Sequence, residues 1–316
     1  MSTPLRPGVH AWVYPLPRFR DFREMCEGAQ RFGFAGLIVQ AGLSAGDWVQ
    51  GRKNTSEGDT RGLAGRMAKD HGLQLTAGYG LDGSATQGGS PELAANAILT
   101  GLRAAGSVML DWEGRWDLPG SQAQADAIAD LVLAAEPSAD RRIVDCPWWA
   151  PLSIRRGKGR TSPTHPRAPH VQFGRLAKTR YVQAYGANLP GSPDGASLSM
   201  LSWARSPTQY ASLGIAREHV LGSFQGYERS VTDCVRTLLA EPNQCVWLLN
   251  KLSLEFRVAM EFVRAIAREG FSGPGADVAF QVARSIPGPQ WLGPLALRAA
   301  GVSVSTSARL RYRSAP

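Results

Sequence analysis

Between residues 8 and 249 the chain alternates short apolar runs with helical patterns, and this repetition constrains the fold more than any single motif. The runs are 8–14 (GVHAWVY), 35–40 (AGLIVQ), 73–79 (LQLTAGY), 107–113 (SVMLDWE), 142–149 (RIVDCPWW), 181–185 (YVQAY), 220–227 (VLGSFQGY) and 245–249 (CVWLL). Each is too brief for a helix and ends at Gly, Pro or a polar cluster, which suits a strand buried on both faces of a parallel sheet. Between them, residues 19–32, 60–71, 92–105, 123–135, 198–213 and 230–240 carry helical spacing, and 252–269 follows the last run. Ser90-Pro91-Glu92 reads as a helix start, an N-cap followed by proline in the first turn. Repeated βα units require right-handed crossovers. Eight of them match a (β/α)8 TIM barrel, which takes ~250 residues. An open dinucleotide-binding sheet would place a glycine turn after its first strand, where this chain has Pro15-Leu16-Pro17. The expected organisation is a barrel domain over 1–271 and a C-terminal appendage over 272–316, richer in Gly, Pro, Ser and Arg.

Composition narrows the partners. The net charge of +9, carried mostly by arginine, favours an anionic partner: nucleic acid, a membrane surface or an acidic wall polymer. Runs such as Arg155-Arg156-Gly157-Lys158-Gly159-Arg160 and Arg309-Leu310-Arg311-Tyr312-Arg313 read as solvated segments, because no nucleic-acid motif accompanies them. Cys26, Cys146, Cys234 and Cys245 are far apart without a CxxC, so buried reduced thiols are expected and a zinc site has no support. Neither the amino terminus, MSTPLRPGVHAW, nor any later run has the length of apolar sequence that a signal peptide or membrane span requires. Synthesis in a cytoplasm is expected, with action at a wall after release or within a particle.

If the fold is a barrel, chemistry belongs at the carboxyl ends of its strands. The run 107–113 ends in Asp111-Trp112-Glu113, and period two sends both acids to one face, with Cα atoms about 6.5 Å apart. Two carboxylates so placed repel, and one tends to keep its proton. A proton donor beside an anion is what glycosidic cleavage uses. The other strand ends offer Tyr14, Tyr79, Asp145, Trp148, Trp149, Gln183, Tyr185, Gln225 and Tyr227. Flat rings with polar edges suit the C–H faces of sugars, and amides suit hydroxyl or N-acetyl groups.

Leu110-Asp111-Trp112-Glu113 resembles the Asp-x-Glu strand of glycoside hydrolase family 25 lysozymes, the muramidase barrels of many phage endolysins. Tyr181-Val182-Gln183-Ala184-Tyr185-Gly186 is similar to that family's later strand ending in Tyr-Gly. The resemblance implies Glu113 as general acid and Asp111 as its electrostatic partner, with no cofactor and no metal. Family 18 chitinases also carry Asp-x-Glu, but their motif places further aspartates where this chain has Gly106 and Met109. The chain departs from the lysozymes at two ends. Trp12-Val13-Tyr14-Pro15 replaces an acidic first strand, and Leu249-Asn250 stands where a late aspartate is expected. The expected function is a peptidoglycan glycosidase of lysozyme or endolysin type, whose partner is cell-wall glycan. The alternative is an inactive barrel that binds carbohydrate, or a structural protein beside other phage or particle proteins.

Overall fold

The computed structural model describes residues 5–13, 19–41, 60–80, 90–112, 114–147, 153–154, 161–162, 167–185, 196–226, 229, 231–248, 256–257, 259–260 and 263. Eight parallel strands close into a barrel. They are β1 (Val9–Val13), β2 (Gly36–Ala41), β3 (Gln74–Gly80), β4 (Val108–Trp112), β5 (Ile143–Pro147), β8 (Arg180–Gln183), β9 (Val220–Gln225) and β10 (Gln244–Leu248). Their order around the barrel is β1-β10-β9-β8-β5-β4-β3-β2. The barrel closes where β1 pairs with β10 from Val9↔Gln244 to Val13↔Leu248. The (β/α)8 expectation is therefore met. Residues 272–316, the expected appendage, lie outside the described residues.

Helices α1 (Phe19–Phe32), α2 (Thr60–Asp70), α3 (Pro91–Ala105), α4 (Ser121–Ala135), α5 (His170–Gly174), α6 (Ala196–Ala204) and α7 (Val231–Ala240) cross between the strands. Helix α3 shows how sequence sets an element. The Ser90 side chain accepts from the Leu93 backbone N–H, Pro91 opens the first turn, and Gly106 ends the helix at φ 81°. Small residues on its inner face let it approach the barrel closely. A Cβ added at Gly101 would stand 2.7 Å from the Tyr79 ring.

Three stretches differ from the sequence expectation, the first being α5, a five-residue helix that no helical spacing announced. Between β5 and α5, β6 (Ser153–Ile154) pairs with β7 (Thr161–Ser162) in a small antiparallel ribbon. The helix expected over 198–213 is shorter: α6 stops at Ala204 and a 3-10 turn occupies Tyr210–Leu213. Pro207 lies between them, and proline lacks an N–H and disfavours helical geometry at the residue before it.

The core has two main shells. Inside the barrel, Trp12, Ile38, Met109, Val144, Cys146, Tyr181 and Cys245 pack with Leu5. Outside it, the alternate residues of the same strands meet the helices, among them Val108, Leu110 and Trp112 of β4. This alternation decides which side chains reach the mouth.

Candidate functional site at the barrel mouth

Asp111 follows Met109 at period two and faces the barrel interior near the carboxyl end of β4. It is 5% exposed. Gln183, the last residue of β8, donates from Nε2 to Asp111 Oδ1 at 2.9 Å. The bond spans two strand intervals, passing over β5, whose Cys146 pairs in register with Asp111. A buried amide that donates to a carboxylate fixes the plane of that carboxylate, and hydrogen bonds to charged groups are the stronger kind. Two residues expected at a site are thus brought together at the mouth.

Across the opening stands a row set by strand register. Trp12 of β1 is level with Trp247 of β10, and Trp247 with Gln225 of β9. The two indole rings lie 5.2 Å apart between centroids. Trp12 is fully buried, while Trp247 is half-buried and presents the outer ring of the pair. The Gln225 backbone carbonyl accepts from Arg229 Nη1 at 2.9 Å. Arg229 is itself held by Asp233 at 2.6 Å and Thr237 at 2.7 Å, which ties the end of β9 to α7. Tyr185, two residues past β8, is half-buried.

Tyr79 and Asp145 are corrections. Both occupy the outward parity of their strands and face the helix layer rather than the mouth. Tyr79 packs in the outer core against α3, and burial pushes its hydroxyl well above the ordinary phenol range. Asp145 lies between the inward residues Val144 and Cys146, so alternation sends it outward. There it meets Arg180 of β8 at 3.2 Å, and neither side chain has any exposure. Arg180 also donates to the His170 carbonyl, and its guanidinium sits 5.3 Å from the Tyr210 ring centre. Burial raises the Asp145 carboxyl to about 6, opposed chiefly by the neighbouring Arg180 guanidinium. Asp145 and Arg180 are the one Cα pair in register between β5 and β8. They close a seam of the barrel; they do not line its cleft.

Glu113, Tyr14, Trp148, Trp149 and Tyr227 lie outside the described residues, as do Leu249-Asn250 and the basic segments 155–160 and 309–313. Three residues at or near the mouth had no signal of their own in the sequence. Trp247 reads as core, Arg229 reads as a surface charge, and Cys146 has no partner in sequence. Burial first, then the proximity of Asp111, pushes the Cys146 thiol well up, so it is a neutral packing group and a poor nucleophile. Among the described residues no group of three or more His, Cys, Asp or Glu is placed to hold a metal ion. No described helix is long and apolar enough to cross a membrane.

No protein-family model matches the chain. No curated protein matches it either. Solved structures similar to it include the endocellulase of Pyrococcus horikoshii, at 11% identity and TM-score 0.46, covering 72% of this chain and 78% of that one. A D-allulose 3-epimerase from Methylomonas sp. shares 13% identity at TM-score 0.45, with 80% and 87% covered. A chitinase from Bacteroides thetaiotaomicron shares 11% at TM-score 0.45, with 70% and 68% covered. Likenesses of this size assign neither activity nor substrate to this chain.

Proposed function

We propose that this barrel hydrolyses a glycan of the peptidoglycan type, with Glu113 as general acid and Asp111 as its anionic partner. The observation that carries the reading is the placement of Asp111. It is one of two acids on the described barrel strands, and the other, Asp145, faces away from the interior. Asp111 is therefore the strand carboxylate that a ligand at the mouth would meet, and Gln183 holds it in a fixed orientation. Glu113 follows it by two positions in sequence, the spacing that puts two strand residues on one face. In this reading Glu113 protonates the leaving glycosidic oxygen, and Asp111 stabilises the positive charge that develops on the sugar or steers its N-acetyl group. Trp247 and Gln225 supply a ring and an amide on the opposite wall, the pairing of groups that sugar rings and hydroxyls use.

The test is release of reducing ends from purified peptidoglycan by wild type and by Glu113→Gln, with folding checked by circular dichroism. Loss of the proton donor should lower the rate by roughly 10²–10⁴-fold. Retained hydrolysis by a folded Glu113→Gln protein overturns the assignment.

A second reading is favoured by one observation. The inner face of β1 carries the buried Trp12 in the region where the lysozymes resembled place an acid. A barrel with fewer acids binds glycan without cleaving it, as a wall-attachment or particle protein. Wild type that co-sediments with peptidoglycan yet releases no reducing ends identifies that case.

A further inference from the structure

A cavity of about 430 Å³ lies at the other end of the barrel. Arg180 opens β8 and His219 directly precedes the first residue of β9, so this cavity sits at the amino ends of those strands. Asp111 and Gln183 stand at the carboxyl ends, and the two sites share no residue. The polar side chains that line the cavity are His170, Arg175, Lys178, Arg180 and His219, with no carboxylate among the lining residues.

The cations are held from behind. Asp126 and Asp130 take the two terminal nitrogens of Arg175 at 3.1 and 2.5 Å, Asp140 takes Lys178 at 2.8 Å and Asp145 takes Arg180 at 3.2 Å. None of these carboxylates lines the cavity. The pairing has two consequences. It fixes long side chains in advance, which reduces the ordering cost of binding. It also cancels much of the net charge, so recognition would rest on directed N–H donors rather than on a broad field. Arg180 Nε and His219 Nδ1 are both buried without a hydrogen-bond partner. Arg180 Nε–H can only donate, and leaving such a donor unmet in the interior costs free energy that an acceptor oxygen would recover. Leu213 and Ile215 form an apolar part of the wall.

We propose that this cavity binds a small molecule carrying one phosphate or carboxylate group, with an apolar portion against Leu213 and Ile215. A compact oxyanion can accept from Arg180 Nε–H, His219 and the Lys178 ammonium together. A long polyanion would meet the flanking carboxylates. The proposal stands independently of any activity at the mouth.

The histidine ring resonances of the full chain provide the test, since it has five histidines. Inorganic phosphate and acetate are titrated separately at constant ionic strength set with chloride, and His219 is assigned with His219→Gln. Saturable movement of the His219 signal by phosphate or by acetate, with His71 still, is expected. Whichever of the two saturates at lower concentration identifies the group. Lys178→Gln, at a side chain 67% exposed and therefore safe for folding, should weaken that binding at least tenfold. The proposal is overturned if neither anion moves His219, if chloride alone moves it equally, if His71 moves in parallel, or if Lys178→Gln binds as wild type does.

Discussion

Two buried groups on opposite sides of the barrel should contribute opposite pH slopes to the stability of this protein between pH 4 and 6.5, and mutation can separate them. Asp145 is held at about 6 against an ordinary 3.8, because burial outweighs the attraction of Arg180. The folded chain therefore binds its proton more tightly than the unfolded chain. The resulting stability is full below pH 3.8 and is lost as pH rises through 6. His10 does the reverse. Burial holds it at about 4 against 6.5. Its Nε2 faces the Arg6 carbonyl at 2.9 Å, and a carbonyl only accepts, so the neutral ring carries its proton there. Its Nδ1 is buried without a hydrogen-bond partner, and a Cβ on Gly36 would stand 2.7 Å from it. A second proton would have no acceptor. His10 thus contributes stability that is full above 6.5 and is lost as pH falls through 4.

At about 1.4 kcal/mol per pH unit, each displacement is worth about 3 kcal/mol, with opposite slopes over the same interval. In wild type the two slopes oppose each other over that interval. Asp145→Asn leaves the His10 slope, so its stability should rise by about 3 kcal/mol from pH 4 to 6.5 relative to wild type. His10→Gln leaves the Asp145 slope and should fall by about as much. The double variant should run parallel to wild type again, because separated sites add. Urea unfolding followed by tryptophan fluorescence at half-unit pH steps reads all four curves, with a constant m-value as the check on two-state behaviour. Four parallel curves would refute the reasoning, since neither group would then change its proton affinity on folding.

Three further outcomes follow from the packing. Gly101→Ala places a methyl 2.7 Å from the Tyr79 ring and 3.1 Å from Ala77 Cβ; thermal unfolding should show a loss of about 1–3 kcal/mol, recovered in part by Tyr79→Leu. Arg229→Met removes the cation from the buried Asp233 and the donor from the Gln225 carbonyl, so denaturant titration should show about 3–5 kcal/mol lost. Gln183→Leu removes the donor to Asp111. If the mouth is catalytic, hydrolysis should fall by roughly 10–100-fold, the worth of about 1.5–3 kcal/mol for a hydrogen bond to a charged group. An unchanged rate in a folded Gln183→Leu protein would mean that Asp111 needs no positioning.

The strands were legible in the sequence because each run is short, apolar and sharply bounded, and because eight of them in series leave few topologies. Helix α1 begins and ends where its spacing predicts, at Phe19 and Phe32. The directions of the side chains were less legible, for a physical reason. A parallel barrel strand is buried on both faces, so its sequence lacks the apolar-polar contrast that would mark inside from outside. The run of β3 reads Leu75-Thr76-Ala77-Gly78-Tyr79, and nothing in it says that Tyr79 turns toward α3. The small face of α3 tells this, through Gly101, and that is a fact about a different element. Arg229 was invisible for a related reason. Its partners Asp233 and Thr237 lie at helical spacing, which reads equally well as a solvated helix face until the end of β9 is placed beneath it.

Asp111 and Asp145 show how little separates a candidate catalytic acid from a structural one. They sit on adjacent strands, where Leu110 pairs with Asp145 and Asp111 pairs with Cys146. The two aspartates are thus one residue out of register, and in a sheet one residue reverses the face. Asp111 turns inward to Gln183; Asp145 turns outward to Arg180. The same strand β8 supplies both partners, with Arg180 outward at its start and Gln183 inward at its end. The Asp145–Arg180 pair, the one registered pair of the β5–β8 seam, therefore helps set the height at which Gln183 meets Asp111. Loosening it should let that contact drift without touching either residue. Arg180→Lys keeps the charge but loses the planar fork and the bond to His170. In that variant the Asp111 carboxylate carbon signal should move at a fixed pH, because its contact with Gln183 is displaced, while the barrel stays folded. An Asp111 carbon signal unchanged from wild type would show that the seam and the mouth are mechanically independent.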